Sequence, residues 1–594
     1  MSCSFLILLL VSIVNIDCFK QNLLKQSQLD NKLYTSSSIE PEPEIFNSRR
    51  TKNRKANPSS GEFSFPQWEK AFKSQPKEFE YALAKDDIEG IIPKNLKGNL
   101  YRNMPALFEK GGVRLGHYLD GDGYVTSLKL DGKTNTAKFI SKFVKTDEYL
   151  REKEEDKILY RSTFRTQRES YSYLTGGLID PNNFMDLKLK NLANTNVVSF
   201  GNKLFALYEA GIPIELDLDT LETNGPSNLN APEVKSGLAL AIPDLKKILP
   251  NLHDNLIGGS YFTAHPKIDL NTNKLIGFSY RAEVDGTSGD RVTTVRVREW
   301  DDNMIPSEPI IHPLTSSTGG APHDFSVTNN YYCFIENRLE GDINQYILGI
   351  KTPAQCLGLD ADAPMILNLV PRLGSNKKTL KIPLGSGFTI HSPCAFENEL
   401  GQVELYTTAW DAEAVACGAA KGGLLGNWEG TAPNFDDIPL TLLYKTIVDT
   451  ESGKLLSHAP VEGLEQVVVE HPHIDPRLET QQVRYIYMSL GSITGKSSPP
   501  VGYQRLDLKT GKTQRWFAPK DTFCEELVVV PKDDNINGYD GDDVWLLAAM
   551  FDSVENRSMI AILDGDDIEK GPVARCWLQH SLPHSLHGMY LNQN

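Results

Sequence analysis

With 594 residues, 40% of them hydrophobic and 23% charged, the chain has the make-up of an ordinary folded protein. Its formal net charge is −16, and a surface that acidic repels phosphate backbones, which excludes nucleic acid as a partner. Single cores stop growing near ~250–300 residues, so the length calls for several domains or for a radial repeat whose units pack only on their neighbours.

In chain order, residues 1–18 read as a signal-peptide-like segment: the apolar run Phe5–Val14 is followed by Asn15-Ile16-Asp17-Cys18 and is too short to span a bilayer comfortably. Residues 19–60 carry eight Lys/Arg against four Asp/Glu, with many Ser and Asn, and read as a basic, disordered leader. A signal core followed by such a leader resembles the two-part plastid address of algae with secondary plastids. The alternative destination is secretion or an endomembrane lumen.

From residue 61 to 594 short β-rich runs alternate with turn chemistry. Strands are expected at Val125–Leu130, Lys203–Tyr208, Leu275–Tyr280, Val292–Trp300, Tyr331–Glu336, Val403–Thr408, Val483–Ser489 and Val544–Met550. Turn signals such as Asp122-Gly123, Asp131-Gly132 and Thr510-Gly511-Lys512 separate strands. Helical patterns are few and short, Gln67–Lys73 and Asp244–Leu252 being the best. Many short strands over one long body fit a β-propeller or paired sandwiches. No exact repeat is visible, so periodicity does not give a blade number. The eight cysteines form no C-x-x-C pair, which argues against a structural zinc site or a disulfide framework.

Several of the twelve histidines sit in apolar, strand-like surroundings. His265 follows Tyr261-Phe262-Thr263-Ala264, and His323 precedes Asp324-Phe325. His391 follows Gly387-Phe388-Thr389-Ile390, and His587 lies between Leu586 and Gly588. An imidazole kept neutral in such a place is a natural metal ligand, although each taken singly is more often a satisfied core histidine. They lie far apart in the chain, and a propeller answers that objection by bringing the inner strands of distant blades to one axis.

The contexts of these histidines resemble those of the carotenoid cleavage oxygenases. The matching blocks run in order: Gly98-Asn99-Leu100-Tyr101-Arg102-Asn103-Met104-Pro105, His117-Tyr118-Leu119-Asp120-Gly121-Asp122-Gly123, and Asn194-Thr195-Asn196-Val197. Ala206-Leu207-Tyr208-Glu209, His265-Pro266-Lys267, His323-Asp324-Phe325 and His391-Ser392-Pro393-Cys394 follow. The last are Glu470-His471-Pro472-His473, Glu525-Glu526-Leu527 and Pro583-His584-Ser585-Leu586-His587-Gly588. The ordered set is specific where no single block is.

The resemblance implies an all-β, seven-bladed propeller with short helices and loops capping the active-site face. It implies His265, His323, His391 and His587 as ligands of an Fe2+ ion. Glu209, Glu470 and Glu526 would be the carboxylates that hold three of the rings, fixing tautomer and raising ligand basicity; the bland reading of each is a solvated surface carboxylate. Glu526 is preferred over the adjacent Glu525 by counting back from Val530-Pro531. Thr195 matches a catalytic-site position beside an open coordination direction in some members, and its other reading is an ordinary strand threonine.

The implied reaction is cleavage of a conjugated C=C of a carotenoid or apocarotenoid by O2, giving aldehyde or ketone products. A stilbene-type substrate, or isomerisation, on the same fold and metal is the near alternative. A calcium-dependent hydrolase or a non-catalytic propeller is the distant one. Peripheral membrane contact follows from substrate insolubility, with Tyr171–Phe184 as the candidate patch. Three departures from the family pattern stand out: Met104 for glycine, Tyr124 for methionine, and Cys394 for asparagine, the last leaving substrate fit near it less secure.

Overall fold

The computed structural model describes residues 62–165, 186, 189–237, 240–241, 259–284, 291–315, 322–341, 345–346, 348–360, 362–416, 431–533 and 543–593. The expected leader segments, the patch Tyr171–Phe184 apart from its surroundings, and the helix at Asp244–Leu252 fall outside these residues.

Strand follows strand in hairpins, and the pairing closes seven sheets in chain order. The first joins Phe79–Ala82, Thr136–Phe143, Asp122–Asp131 and Lys97–Leu107 to the C-terminal strand Gly588–Asn592. The next six begin on the axis with the strands around Asn196–Phe200, Tyr261–Phe262, Phe325–Val327, Phe388–Thr389, Val469–His473 and Thr522–Pro531. The edge strands of neighbouring sheets touch one another in a ring, Gly588–Asn592 meeting both Asn196–Phe200 and Thr522–Pro531. The architecture is the expected seven-bladed propeller.

The ring is latched twice. Gly588–Asn592 pairs with Lys97–Leu107 in the first sheet, and Ile88–Gly90 pairs with Ala574–Trp577 in the last. Both ends of the body thereby close the circle by ladder hydrogen bonds.

Each interface between blades has its own apolar cluster, which is how one body of this length avoids a single oversized core. Leu100, Leu128 and Phe139 of the first blade pack on Val530, Leu547 and Ile562 of the last. Phe205 and Leu207 pack against Phe262 and Trp300 between the second and third, and Leu443 against Ile486 and Met488 between the fifth and sixth. Outward strands alternate as a half-solvated strand must: Leu380–Gly385 buries Ile382 and Leu384 and leaves Lys381 and Pro383 exposed. Inner strands are buried on both faces, as in Thr522–Pro531.

The eight expected strands all occur, their ends agreeing to within four residues and those of Tyr331–Glu336 coinciding. Gln67–Lys73 is a helical turn at Phe65–Trp68 continued as a 3-10 turn over Glu69–Phe72. The helix Asp147–Glu155 was not expected. Thr146 caps it, its hydroxyl accepting from the Tyr149 N–H, and it ends on Asp156 at φ +47°. Among the described residues five cysteines are free thiols, and no helix is long and apolar enough to cross a membrane.

Candidate metal centre

All four histidines singled out in the sequence stand at the start of an innermost strand or between its segments. His265 lies between Tyr261–Phe262 and Lys267–Asp269, and His323 is two residues before Phe325–Val327. His391 lies between Phe388–Thr389 and Cys394–Glu397, and His587 directly precedes Gly588–Asn592. One ring nitrogen from each of His265, His323 and His391 falls within 4.8 Å of the others. The His587 ring centroid lies 4.6 Å from that of His265 and 4.9 Å from that of His391.

Three of the four rings are oriented by carboxylates from the remaining blades. His323 Nδ1 donates to Glu209 Oε2 at 2.6 Å, and His391 Nδ1 to Glu470 Oε2 at 2.6 Å. His587 Nδ1 donates to Glu526 Oε1 at 2.8 Å. Among the described residues no carboxylate bonds to His265. With Nδ1 carrying the proton, Nε2 of each of these three rings is left with a bare lone pair. His391 Nε2 is buried without a hydrogen-bond partner among the described residues, and His323 Nε2 faces His265 Nε2 at 3.1 Å. Lone pairs gathered in this way repel unless a cation lies between them, so the donor set fits a divalent metal taken by imidazole nitrogens.

The electrostatics agree. Burial opposes ionisation of Glu470, but the facing His391 outweighs it and holds the carboxyl at about 2. Glu209 and Glu526 are likewise held below the usual carboxylate range against burial, by His323 and by His587 with His473 respectively. Burial and then the neighbouring imidazoles keep His265 well below the usual histidine value, and so neutral and able to ligate. Three carboxylates one bond behind the rings supply the negative charge that neutral ligands lack.

A clasp ties three of the ligand-bearing strands together. Lys267 Nζ pairs with Asp324 Oδ1 at 2.9 Å and donates to the Ser392 carbonyl at 3.1 Å. Asp324 Oδ2 accepts the Ser392 N–H at 2.7 Å. The residues just after His265, His323 and His391 are thus bonded to one another, although nothing in their spacing announces it.

The glutamate pair resolves by geometry. Glu526 takes His587, His473 Nε2 at 2.8 Å and Arg102 Nη1 at 3.3 Å. Glu525 instead accepts from the N–H and the hydroxyl of Ser585. Thr195 is buried; its hydroxyl donates to Asn194 Oδ1 at 3.2 Å. The adjacent Asn196 amide donates to the Ala264 carbonyl at 2.8 Å, which places this segment beside His265. Sequence reasoning assigned no role to His471, whose ring stands 5.6 Å from His391 and 5.6 Å from His587, nor to His473 and Arg102. The dense Glu470-His471-Pro472-His473 block was the available signal.

The departures from the family pattern lie in packing. Cys394 is buried among Phe396, Tyr406 and Val469 in the cluster between the fifth and sixth blades. Tyr124 donates its hydroxyl to the Lys77 carbonyl at 2.7 Å. Met104 packs with Tyr124, Phe143 and Tyr149.

Comparison with known proteins bears on this site. A family model described as retinal pigment epithelial membrane protein matches residues 72–592. An apocarotenoid-15,15'-oxygenase from Synechocystis sp. is 31% identical, the match covering 90% of this chain and 98% of that protein. A resveratrol cleavage oxygenase 1 from Aspergillus fumigatus is 26% identical over 87% of this chain and 94% of its own. The crystal structure of a cobalt-substituted Synechocystis apocarotenoid oxygenase superposes with a TM-score of 0.74 at 27% identity, over 89% of this chain and 99% of that one.

Proposed function

Because the chain belongs to the retinal pigment epithelial membrane protein family of carotenoid oxygenases, we propose that it is an Fe2+-dependent dioxygenase cleaving a conjugated C=C of a carotenoid or apocarotenoid with O2. The observation that carries the reading is the convergence of His265, His323 and His391 with the His587 ring beside them, three of the four rings being held by Glu209, Glu470 and Glu526. These four imidazoles would hold the ion. When bound, it supplies the oxygen chemistry that turns the double bond into two carbonyl products.

The chain's own residues hold and orient. Glu209, Glu470 and Glu526 fix the tautomers that leave Nε2 of three rings bare, and the Lys267–Asp324–Ser392 clasp keeps three ligand strands in register. Thr195, next to the segment that carries His265, would lie beside the bound ion. Affinity order does not select iron over its neighbours in the first transition row; four neutral nitrogens would hold the ion, and iron would supply the chemistry with O2.

The similarity to a resveratrol-cleaving enzyme supports a second reading, a stilbene substrate on the same centre. The test loads the full chain anaerobically with Fe2+ and offers apocarotenals, carotenoids and a hydroxystilbene in detergent, with His323→Ala alongside. Aldehyde or ketone fragments of a polyene from the parent and none from the variant are expected. Cleavage of the stilbene alone moves the assignment to the second reading, and failure to retain iron undoes the centre.

A further inference from the structure

His471 is held in a conformation that its residue type resists. Its φ is +47°, in the left-handed region, which a non-glycine residue adopts only at a cost and keeps only when its surroundings impose it. The strand pairing breaks its register between Glu470 and His473, so the residue sits in a bulge of the innermost strand of the sixth blade.

What imposes the turn is the metal-site carboxylate itself. The His471 N–H donates to Glu470 Oε2 at 2.6 Å, the same oxygen that accepts from His391 Nδ1. Ser489 Oγ donates to the Glu470 carbonyl at 2.8 Å and closes the other side. One carboxylate oxygen therefore fixes both the His391 ring and the twist that carries His471 toward the cluster. The outcome is an imidazole whose centroid stands 5.6 Å from two of the four clustered rings.

The ring is otherwise little engaged. Among the described residues its one hydrogen bond is the 3.4 Å contact between Nδ1 and Ser489 Oγ, too weak to fix the tautomer. The ring stands farther from His391 and from His587, at 5.6 Å each, than those two rings stand from one another, at 4.9 Å, and so lies at the edge of the cluster. His471, His323, Glu209 and Glu470 all keep partly open side chains, so they are not sealed in packed core.

We propose that His471 is a hydrogen-bonding residue for a small ligand bound beside the metal, and that the strained turn exists to present it. This rests on the metal-site reading above. The chemistry recognised is a compact group of oxygen or nitrogen atoms next to the ion, met by one neutral imidazole N–H.

The probe is azide, titrated into the full chain loaded with Co2+ and followed by the visible absorption of the metal. The variants are His471→Phe, which keeps a flat ring of similar size, and His471→Gln, which keeps an amide donor. A hydrogen bond to an anion predicts azide affinity about tenfold weaker in His471→Phe, with more than half of the loss on the logarithmic scale recovered in His471→Gln. Co2+ affinity should stay within about threefold in both. Unchanged azide affinity in His471→Phe overturns the proposal, as does a glutamine variant no better than phenylalanine. Co2+ affinity reduced more than tenfold also overturns it, by making His471 a support of the metal. A parent protein that takes up no Co2+ is a different failure, that of the four-histidine centre.

Discussion

Adjacent glutamates on one strand give the sharpest test of how the centre is oriented. In Glu526→Gln one oxygen becomes an NH2 group, and the site cannot accommodate it on either side. If the amide oxygen stays toward His587 Nδ1 and His473 Nε2, the NH2 faces the Arg102 guanidinium, which bonds Oε2 at 3.3 Å. If the amide flips, the NH2 opposes the His587 N–H, and that ring loses the acceptor that fixes its tautomer. Loss of such an orienting partner costs about 10–100-fold in metal affinity, or roughly 1.4–2.8 kcal/mol. Glu525→Gln changes the same chemistry one residue away, but its partners are the Ser585 N–H and hydroxyl. Its Co2+ affinity should stay within about threefold of the parent. Both variants are titrated with Co2+ by calorimetry, with a competing chelator if binding is tight. Equal losses in the two variants, or none in Glu526→Gln, would refute the claim that Glu526 orients His587.

Three further outcomes are expected. Lys110 and Lys190 each pair with both Asp122 and Glu152 deep in the first blade region, so Asp122→Asn leaves buried ammonium charge uncompensated and should lower unfolding free energy by about 3–5 kcal/mol in urea titration. Burial works against ionising Asp122 and Glu152, but the lysines outweigh it and depress both carboxyls; their stabilisation is therefore present above the unfolded values near ~4 and lost as pH falls through the lower folded values, and acid unfolding monitored by tryptophan fluorescence should be shallower in the variant. Asp324→Ala strands Lys267 and frees the Ser392 N–H, for an expected loss of about 3 kcal/mol together with a changed visible spectrum of the Co2+ form. Stripping the metal with a chelator should lower the thermal midpoint, since a ligand at about 100 times its dissociation constant contributes about 2.7 kcal/mol; calorimetric scans with and without Co2+ check this.

The strands were legible because alternation and turn residues are local properties, as with Val403–Thr408 inside the observed Gln402–Trp410. The helix Asp147–Glu155 was not, because it lacks an apolar stripe: it buries Tyr149 and Glu152, and Glu152 goes inward to meet two lysines brought from elsewhere in the chain. The cap Thr146 and the acidic first turn were there to be read. Blade number was hidden because the seven sheets share a geometry and not a sequence pattern. At the centre, the histidines could be named from their surroundings, but what their neighbours do depends on backbone irregularity that no residue type declares. Strict alternation would send Glu525 and Glu526 to opposite faces, yet both are buried and both reach groups of the segment Ser585–His587. The pairing shifts register between Cys524 and Leu527, and that bulge lets two successive carboxylates serve the same stretch. The positive φ of His471 arises in a second bulge, two residues before His473. Both irregularities fall on the innermost strands of adjacent blades, where side chains must be aimed at a point on the axis and a regular pleat would point every other one away.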